Sequence, residues 1–499
     1  MKKLFSTVLS LSLLLIACSS VMQTETSTPH ADPLDTPWAD RSIFKSGLVE
    51  TEQSILNELD GASVYHIEFD IALDLYHVAG HQEVQYTNTE TVPLNEIEFR
   101  LFPNILGGKM EVTNILAGGQ SITPEYQLKD SLLLLPLPSP LAPDQSIVIS
   151  MDFNVTVPQT VDQNYGVLAY DQDVLALAHA YPMIAVYDDE GWNAEIPPQS
   201  GDVTYADASF YLVKVTAPKE VTVVTTGKEI DRTSDSKIQT VYIASGPARD
   251  FYLAASPLYQ ETAETFGETT IRSFAPRELA KGSRQALDTA SRAVKIYSSR
   301  YEPFPYTEFD IVSTPTLALG IEYPGMVAIS SRIYDVDQDA GGTPMRVFLE
   351  STLAHETGHQ WFYNLVGDDQ LDDPWLDESL TQFATLQYYE DQYGQQAAAG
   401  FEQSFNQRWS RVNFEKIPVG LPVAAYDDQE YSAIVYGRGP LFFVALREEM
   451  GDQAFDTFLK DYTEKLSWKI ATPEILQSLA EEHCSCDLDP LFNEWVYPQ

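Results

Sequence analysis

Apolar and polar side chains alternate strictly from Tyr65 onward, which predicts β structure in the first half of the chain. The apolar set is Tyr65, Ile67, Phe69, Ile71 and Leu73. Polar residues lie between them, as in a strand with one buried face. Similar runs recur at residues 97–101, 147–157, 211–216, 221–226, 237–244 and 251–255. Many short strands punctuated by Pro, Gly and Asp predict an antiparallel β domain over residues 61–262.

The apolar spacing changes to a helical period after Arg277. Helices are predicted at residues 277–301, 343–366, 374–394, 396–410, 438–448, 452–465, 472–482 and 488–496. Thr343 is the predicted cap of the second of these, with Pro344 in its first turn. Strands are predicted at 309–313 and 326–330. A chain of 499 residues is too long for one core, so residues 263–499 are predicted to form a second, α-rich domain with a small sheet.

The amino terminus has the pattern of a bacterial lipoprotein leader over residues 1–18. Lys2 and Lys3 precede a short apolar run, and Leu15-Ile16-Ala17-Cys18 resembles a lipobox. The alternative is an ordinary secretory signal with an incidental cysteine. Residues 19–60 are predicted to be a tether, with a short amphipathic piece near 49–59. These features predict an extracytoplasmic protein of the cell envelope, anchored to the membrane by lipid on Cys18.

The formal net charge of −43, from 73 acidic and 30 basic residues, excludes nucleic acid as a partner. The two remaining cysteines are Cys484 and Cys486, and an oxidising compartment would permit a bridge between them. They are expected to be structural, either free or locally bridged. A metal site with His483 is the weaker alternative, because partners at ligand spacing are lacking.

His355-Glu356-Thr357-Gly358-His359 places two histidines four residues apart on a predicted helix. Residues i and i+4 lie on the same face about one turn apart, so both imidazoles can bind one metal ion. Glu356 is rotated off the ligand axis and can reach a water on the metal without binding the metal itself. This H-E-x-x-H spacing is the zinc-peptidase pattern.

Glu378 is the predicted third ligand, 18 intervening residues later on the next predicted helix. Zinc accepts imidazole and carboxylate, and a catalytic site keeps three protein ligands plus a water. Bound zinc lowers the pKa of that water toward about 7, and Glu356 would accept its proton. Glu350 and Asp377 are candidates to orient a ligand imidazole. A structural zinc site is the alternative, but it would usually have a closed, cysteine-rich shell.

Together, His355 to Phe362 and Trp375-Leu376-Asp377-Glu378-Ser379 resemble the paired motifs of the aminopeptidase N family of zinc peptidases. The resemblance covers residues 61 to 499. It implies a saddle-like β domain followed by a thermolysin-like catalytic domain with one zinc ion. It also implies a metallo-aminopeptidase that removes amino-terminal residues from peptides.

Two further segments resemble elements of this family. Leu319-Gly320-Ile321-Glu322-Tyr323-Pro324 is similar to its amine-binding loop, which implies that Glu322 binds the substrate ammonium and that Gly320 lies beside the peptide. Tyr431 to Gly439 resembles the segment that ends in Tyr-x-Lys-Gly, with Arg438 in place of the lysine. By this match Tyr436 donates its hydroxyl to the developing oxyanion, and Tyr431 assists.

Larger family members have a carboxy-terminal helical domain, and this chain resembles a short form without it. The resemblance also implies an amine-binding side chain from the β domain, for which Gln159 and Gln163 are weak candidates. His66, His77, His81 and His179 are predicted to be structural. The alternatives for function are a zinc endopeptidase or other hydrolase of the same fold, and a peptide-binding lipoprotein without turnover.

Overall fold

The computed structural model of the chain describes residues 32–198 and 200–498. The predicted leader and Cys18 lie outside these residues. Three 3-10 turns, Pro33–Asp35, Ser42–Gly47 and Glu50–Asn57, precede the first strand. Phe44, Leu48 and Leu56 are buried in the core of the helical half, and the Val49 N–H donates to the Pro305 carbonyl at 3.0 Å. The described part of the predicted tether is therefore folded onto the protein, because its apolar side chains are buried there.

The strands of the amino-terminal half form several sheets. They are β1 Val64–Ile71, β2 His77–Thr87, β3 Leu94–Arg100, β4 Lys109–Ala117, β5 Gln120–Ser121, β6 Glu125–Gln127, β7 Leu132–Leu141, β8 Ser146–Thr156, β9 Leu168–Asp171, β10 Val174–Leu177, β11 Met183–Ile184, β12 Tyr187–Asp188, β13 Gly191–Trp192, β14 Ser209–Pro218, β15 Thr222–Thr225, β16 Lys228–Ser234, β17 Ile238–Ala248 and β18 Leu253–Ser256.

An eight-stranded sheet in the order β16-β17-β14-β1-β2-β8-β4-β5 dominates this half. Its strands pair antiparallel except for β1 and β14, which pair in parallel. Two four-stranded sheets, β15-β18-β10-β9 and β11-β3-β7-β6, complete the domain together with the hairpin β12-β13. The alternating residues Tyr65, Ile67, Phe69 and Ile71 are buried. The predicted antiparallel β domain is confirmed.

The second half contains a smaller sheet and the helices. Its strands are β19 Tyr259–Phe266, β20 Thr269–Pro276, β21 Glu308–Thr314, β22 Gly320–Tyr323, β23 Met326–Ser330, β24 Asp339–Ala340 and β25 Thr343–Pro344. Its helices are α1 Ala280–Arg300, α2 Met345–Gly358, α3 Leu380–Tyr393, α4 Gln395–Trp409, α5 Asp428–Ala433, α6 Gly439–Met450, α7 Asp452–Leu466, α8 Pro473–Cys484 and α9 Asp489–Trp495. The boundary predicted after residue 262 falls inside β19.

Strand β22 is at the edge of the five-stranded sheet β19-β20-β21-β23-β22. Its only partner in that sheet is β23, to which it pairs antiparallel. The Tyr323 ring stacks on Tyr252 of the β domain with centroids 3.9 Å apart. Because this contact is buried on both sides, it fixes the position of the edge strand relative to the β domain.

Helix α2 is shorter than the sequence predicts. Thr343 pairs with Ala340 in the β24-β25 hairpin instead of capping the helix. The helix ends at Gly358 rather than near Val366. The reason is a reversal of the chain, in which the Asn364 N–H donates to the His359 carbonyl at 3.0 Å and Tyr363 adopts φ +105°.

Buried Arg249 connects the two halves of the molecule. Its guanidinium donates to the carbonyls of Tyr363 and Lys469 at 2.8 Å each and of Ala206 at 3.1 Å. A Cβ at Gly367 would lie 2.3 Å from the Arg249 Cζ, so only glycine leaves room for this side chain. Cys484 and Cys486 form a disulfide. Among the described residues, no helix is long and apolar enough to cross a membrane.

Candidate active site

The predicted metal ligands converge at the end of α2. The Nε2 atoms of His355 and His359 are 3.2 Å apart. The Glu378 Oε2 atom lies 3.0 Å from His355 Nε2 and 3.4 Å from His359 Nε2. One nitrogen or oxygen of each residue therefore faces a common point, as a metal site requires.

The surroundings of His359 select the tautomer that metal binding needs. Its Nδ1 lies 3.0 Å from the Phe362 carbonyl oxygen, which can only accept a hydrogen bond. Nδ1 therefore carries the proton, and the lone pair of Nε2 faces the metal position. The chain reversal that ends α2 brings the Phe362 carbonyl to this place.

The predicted orienting acids do not contact the imidazoles. Glu350 accepts hydrogen bonds from the hydroxyls of Tyr388 and Tyr393 at 2.9 and 2.6 Å. Asp377 accepts one from Gln370 at 2.8 Å. His355 Nδ1 is buried and has no hydrogen-bond partner within the described part of the chain. Neither acid therefore orients a ligand imidazole by a hydrogen bond, although an oxygen of Asp377 lies within 4.8 Å of a His359 ring nitrogen.

The donor set fits zinc. Two imidazole nitrogens and one carboxylate are the ligand types of catalytic zinc sites, with a position left for water. Burial disfavours the Glu378 anion, but the close contacts with the imidazoles of His355 and His359 outweigh this and hold the pKa of Glu378 well below its usual range. The third ligand is therefore anionic, as metal binding requires.

Two π-helical turns position the third ligand and a tyrosine. Glu378 is in the turn Trp375–Ser379, and Tyr436 is in the turn Ile434–Arg438. The Tyr436 hydroxyl donates a hydrogen bond to Glu378 Oε1. Such turns inside helices occur frequently at functional sites. The structure thus places Tyr436 at the metal site, as its predicted role requires.

Glu356 packs against the edge strand at Gly320 and lines the same cavity as His355 and Glu378. A Cβ at Gly320 would lie 2.5 Å from the Cγ of Glu356, so glycine is required for this close approach. Burial, reinforced by the neighbouring Glu322 carboxylate, raises the pKa of Glu356 well above its usual range. A carboxyl group with a raised pKa is suited to accepting and returning a proton.

Glu322 is buried on β22 and projects into the same cavity. Its Oε1 accepts a hydrogen bond from Gln370 at 3.2 Å. Gln360, next to the ligand His359, fixes the turn of this strand. Its amide donates to the Tyr323 carbonyl at 3.0 Å and accepts from the Gly325 N–H at 2.8 Å. Gln360 therefore fixes the position of the edge strand relative to the metal ligands.

The β domain supplies cavity residues that sequence reasoning missed. Asp202 lies in a cavity of about 1120 Å³ together with the metal site. Burial, and then the charge of Glu322, raise the pKa of Asp202 well above its usual range. Only the long-range fold brings Asp202 here, and no local motif marked it.

His179 also lines this cavity, unlike the other β-domain histidines. Its Nδ1 lies 2.8 Å from Asp250 Oδ2, although the two atoms lack hydrogen-bond alignment. His66, by contrast, stacks on Trp38, and His77 and His81 pair with aspartates near the surface. The prediction that all four histidines are structural stays a prediction. No sequence pattern around His179 distinguished it from the other histidines.

Tyr431 and Gln163 also line the cavity, whereas Gln159 is not part of its lining. The Tyr431 ring packs edge-on against Tyr436 with centroids 5.8 Å apart. Its buried hydroxyl has no hydrogen-bond partner among the described residues. Arg438, which replaces the expected lysine, is buried and donates to the carbonyls of Ile417 and Glu494 at 2.9 and 2.8 Å. Arg438 therefore holds the Tyr436 turn and does not face the cavity.

Comparison with known proteins finds a matching family domain and several similar sequences. Residues 285–495 match the peptidase family M1 domain. Aminopeptidase M1-B of Oryza sativa subsp. japonica is 24% identical over 296 residues, which are 56% of this chain and 33% of that protein. Aminopeptidase N of Lactococcus lactis subsp. lactis is 28% identical over 274 residues, or 50% and 31% of the two chains. The matched region thus spans about a third of these relatives' length.

The M1 zinc metallopeptidase from Deinococcus radiodurans has the same fold. Its crystal structure superposes with a TM-score of 0.64 at 17% identity, covering 88% of this chain and 93% of that one. A mutant form of that protein bound to a Tyr-Ser-Ala substrate gives a TM-score of 0.65 at 17% identity, covering 88% and 95%.

The family match, the shared fold and the geometry of the candidate ligands together show similarity to the M1 zinc metallopeptidases. The match to the peptidase family M1 domain covers residues 285–495, which contain all three candidate metal ligands. The resemblance to the aminopeptidase N family is confirmed, and so is zinc as the metal that this family's site implies.

Proposed function

We propose that this protein is a zinc metallo-aminopeptidase that removes amino-terminal residues from peptides. The observation that carries the proposal is the position of Glu322. Its carboxylate lies on a buried edge strand, in the same cavity as the ligands His355, His359 and Glu378. A carboxylate at a fixed distance from the reaction centre can select a free amino group at the end of a peptide.

Strand β22 supplies the binding surface for the peptide. It is an edge strand, so its free side can pair with an extended substrate by strand addition. Glu322 is buried, and the substrate ammonium would balance its charge. Asp202 provides a second carboxylate from the β domain facing the same space. These groups bind and orient the amino terminus before any bond breaks.

His355, His359 and Glu378 would hold the zinc ion, which supplies Lewis acidity to the substrate carbonyl and to water. Glu356 accepts the proton of the attacking water and returns it to the leaving amine. The raised pKa of Glu356 favours that return. In the structure the Tyr436 hydroxyl donates a hydrogen bond to Glu378. It can turn toward the carbonyl oxygen of the substrate as negative charge develops there.

We further propose that the protein is a membrane-anchored lipoprotein of the cell envelope. Leu15-Ile16-Ala17-Cys18 after a short apolar run supports this location. The disulfide between Cys484 and Cys486 is compatible with an oxidising compartment. Metabolic labelling with a radioactive fatty acid tests the anchor, and C18A should abolish incorporation of the label. Label retained in C18A would contradict the lipid anchor.

The enzymatic proposal is tested with matched peptides that differ only at the amino terminus. The free peptide should be cleaved after its first residue, and a metal chelator should stop the reaction. The amino-terminally acetylated peptide should resist cleavage, because the acetyl group removes the charge that Glu322 binds. Internal cleavage of both peptides at similar rates would instead establish an endopeptidase.

A further inference from the structure

Arg408 is a cation in the wall of the active-site cavity. It lies on α4, one turn after Ser404 and two turns after Phe401, and all three residues line the cavity. The Arg408 Cζ is 5.4 Å from the centroid of the Tyr436 ring. The guanidinium thus lies directly behind the tyrosine that contacts the metal ligand Glu378.

The Arg408 guanidinium has no protein acceptor among the residues that the structure describes. It makes no hydrogen bond and no ion pair within 4.0 Å, and its contact is the ring face of Tyr436. Burial lowers its pKa. Buried Arg249, by contrast, donates to four backbone carbonyls. A guanidinium has five N–H donors, and leaving them unpaired in a partly buried wall costs free energy unless a ligand accepts them.

The charges of the other cavity residues distinguish Arg408 from the rest of the lining. Seven carboxylates line the cavity, among them Asp202, Glu322, Glu356 and Glu378, and the other permanent cation in its described lining is Lys129. Lys129 is exposed to solvent, so water satisfies its charge. Arg408 is therefore the half-buried cation in this wall, where an anionic group of a ligand would bind.

We propose that Arg408 binds the terminal carboxylate of short peptides, so that the enzyme prefers dipeptides and tripeptides with a free carboxyl end. This inference rests on the proposed aminopeptidase function and names its substrate class. Guanidinium and carboxylate form paired, charge-assisted hydrogen bonds, and Arg is the side chain best shaped for this contact. Ser404 can donate a further hydrogen bond from the same helix face.

The elements around the site could contact both ends of a short peptide. Helix α2 packs against β22, which carries Glu322, while α4 packs against the turn that carries Tyr436. We therefore place the amino end of the peptide at Glu322 and its carboxyl end at Arg408, with the metal ligands between them. The Tyr436 hydroxyl contacts the ligand Glu378, and the guanidinium is 5.4 Å from the centroid of the same ring. Because each extended residue adds about 3.3–3.6 Å, this arrangement suits short peptides.

Matched peptides with a free or amidated carboxyl end test the inference. The wild-type protein should hydrolyse a dipeptide and a tripeptide about tenfold to a hundredfold better, in kcat/KM, than their carboxy-terminal amides. R408Q should lose this preference, so that the ratio of kcat/KM for the free acid to that for the amide falls to about one. R408K should keep a reduced preference. R411Q removes an exposed charge three residues away and serves as the control, with the preference intact.

Binding provides a readout independent of turnover. In an E356Q background, calorimetry should show tighter binding of the free acid than of the amide, and R408Q should equalise the two dissociation constants. Equal kcat/KM for acid and amide in the wild type would overturn the role of Arg408 and leave the aminopeptidase function standing. Equal losses on both substrates in R408Q would also overturn it, by showing that Arg408 acts through Tyr436. Failure to cleave any free-amine substrate would overturn both proposals.

Discussion

The Ser379 hydroxyl donates a 2.6 Å hydrogen bond to the Val435 carbonyl. This bond joins the two π turns, one carrying Glu378 and the other Tyr436. A Cβ at Gly439 would lie 2.0 Å from the Ser379 Oγ, so glycine is needed for the turns to meet. The metal ligand and the tyrosine therefore share one rigid support, and displacement of one turn displaces the other.

Replacing Ser379 by alanine should test this coupling. S379A removes a buried hydrogen bond and is expected to lower the free energy of unfolding by about 1 kcal/mol. Activity should fall by about tenfold or more, because small shifts of catalytic groups are costly. Denaturant unfolding and kcat on one aminoacyl anilide, measured on the same samples, separate the two effects.

S299A is the matched control for this prediction. Ser299 makes a similar bond, to the Ile296 carbonyl at 2.7 Å, but on the exposed surface of α1. Its loss should change neither stability nor rate beyond a few tenths of a kcal/mol. A full rate in S379A would show that the two turns are positioned independently.

Gly320 should tolerate no side chain. In G320A the new methyl would meet Glu356 at 2.5 Å, so either the strand or the proton-accepting carboxylate must move. We expect kcat to fall by about a hundredfold while zinc content is unchanged. G400A is the control, since a Cβ there meets nothing within 4 Å on α4, and it should stabilise the helix by up to about 1 kcal/mol. Equal activity in the two variants would refute the proposed close approach.

The zinc site was predictable because its ligands follow a local rule. His355 and His359 share a helix face, and Glu378 follows at a recognisable distance. Strand alternation likewise revealed the β domain, since a period of two identifies a half-buried strand. The fold class and the metal ligands were therefore accessible from sequence pattern alone.

Other features depend on contacts between distant parts of the chain. The early end of α2 follows from the bond between Asn364 and the His359 carbonyl, which helical periodicity does not reveal. Asp202 and His179 enter the cavity only because the β domain packs against the catalytic half. Their immediate neighbours in sequence carry no metal or proton chemistry, so no local signal separated them from surface or core residues.

Glu322 should control the preference for free amines. E322Q keeps the shape of the side chain but removes its charge, and kcat/KM for unblocked peptides should fall about tenfold to a hundredfold. E98Q is the matched control, because Glu98 is also buried but lies on β3, and burial raises its pKa to about 7. If E322Q cleaved unblocked peptides at the wild-type rate, Glu322 would not be the amine anchor.

Removal of zinc should destabilise the protein. Binding to the native state adds RT ln(1 + [Zn]/Kd), which is about 4 kcal/mol when free zinc exceeds Kd a thousandfold. Thermal unfolding should therefore shift to lower temperature in chelator and recover when zinc is restored. D487N provides a control, because Glu481, Asp487 and Asp489 also form a group of carboxylates, but a mostly exposed one. If the zinc-dependent shift disappeared in D487N, zinc would bind at this exposed group of carboxylates and not at His355, His359 and Glu378.

The most direct test of the account compares zinc content and turnover in the same preparations of wild type, E356Q and E378Q. The wild type should hold one zinc per chain and hydrolyse aminoacyl anilides. E356Q should retain the zinc but lose at least about a hundredfold in kcat, because only the proton acceptor is gone. E378Q should lose both the zinc and the activity. Full activity in E356Q, or undiminished zinc binding in E378Q, would contradict the roles that the structure gives to these two carboxylates.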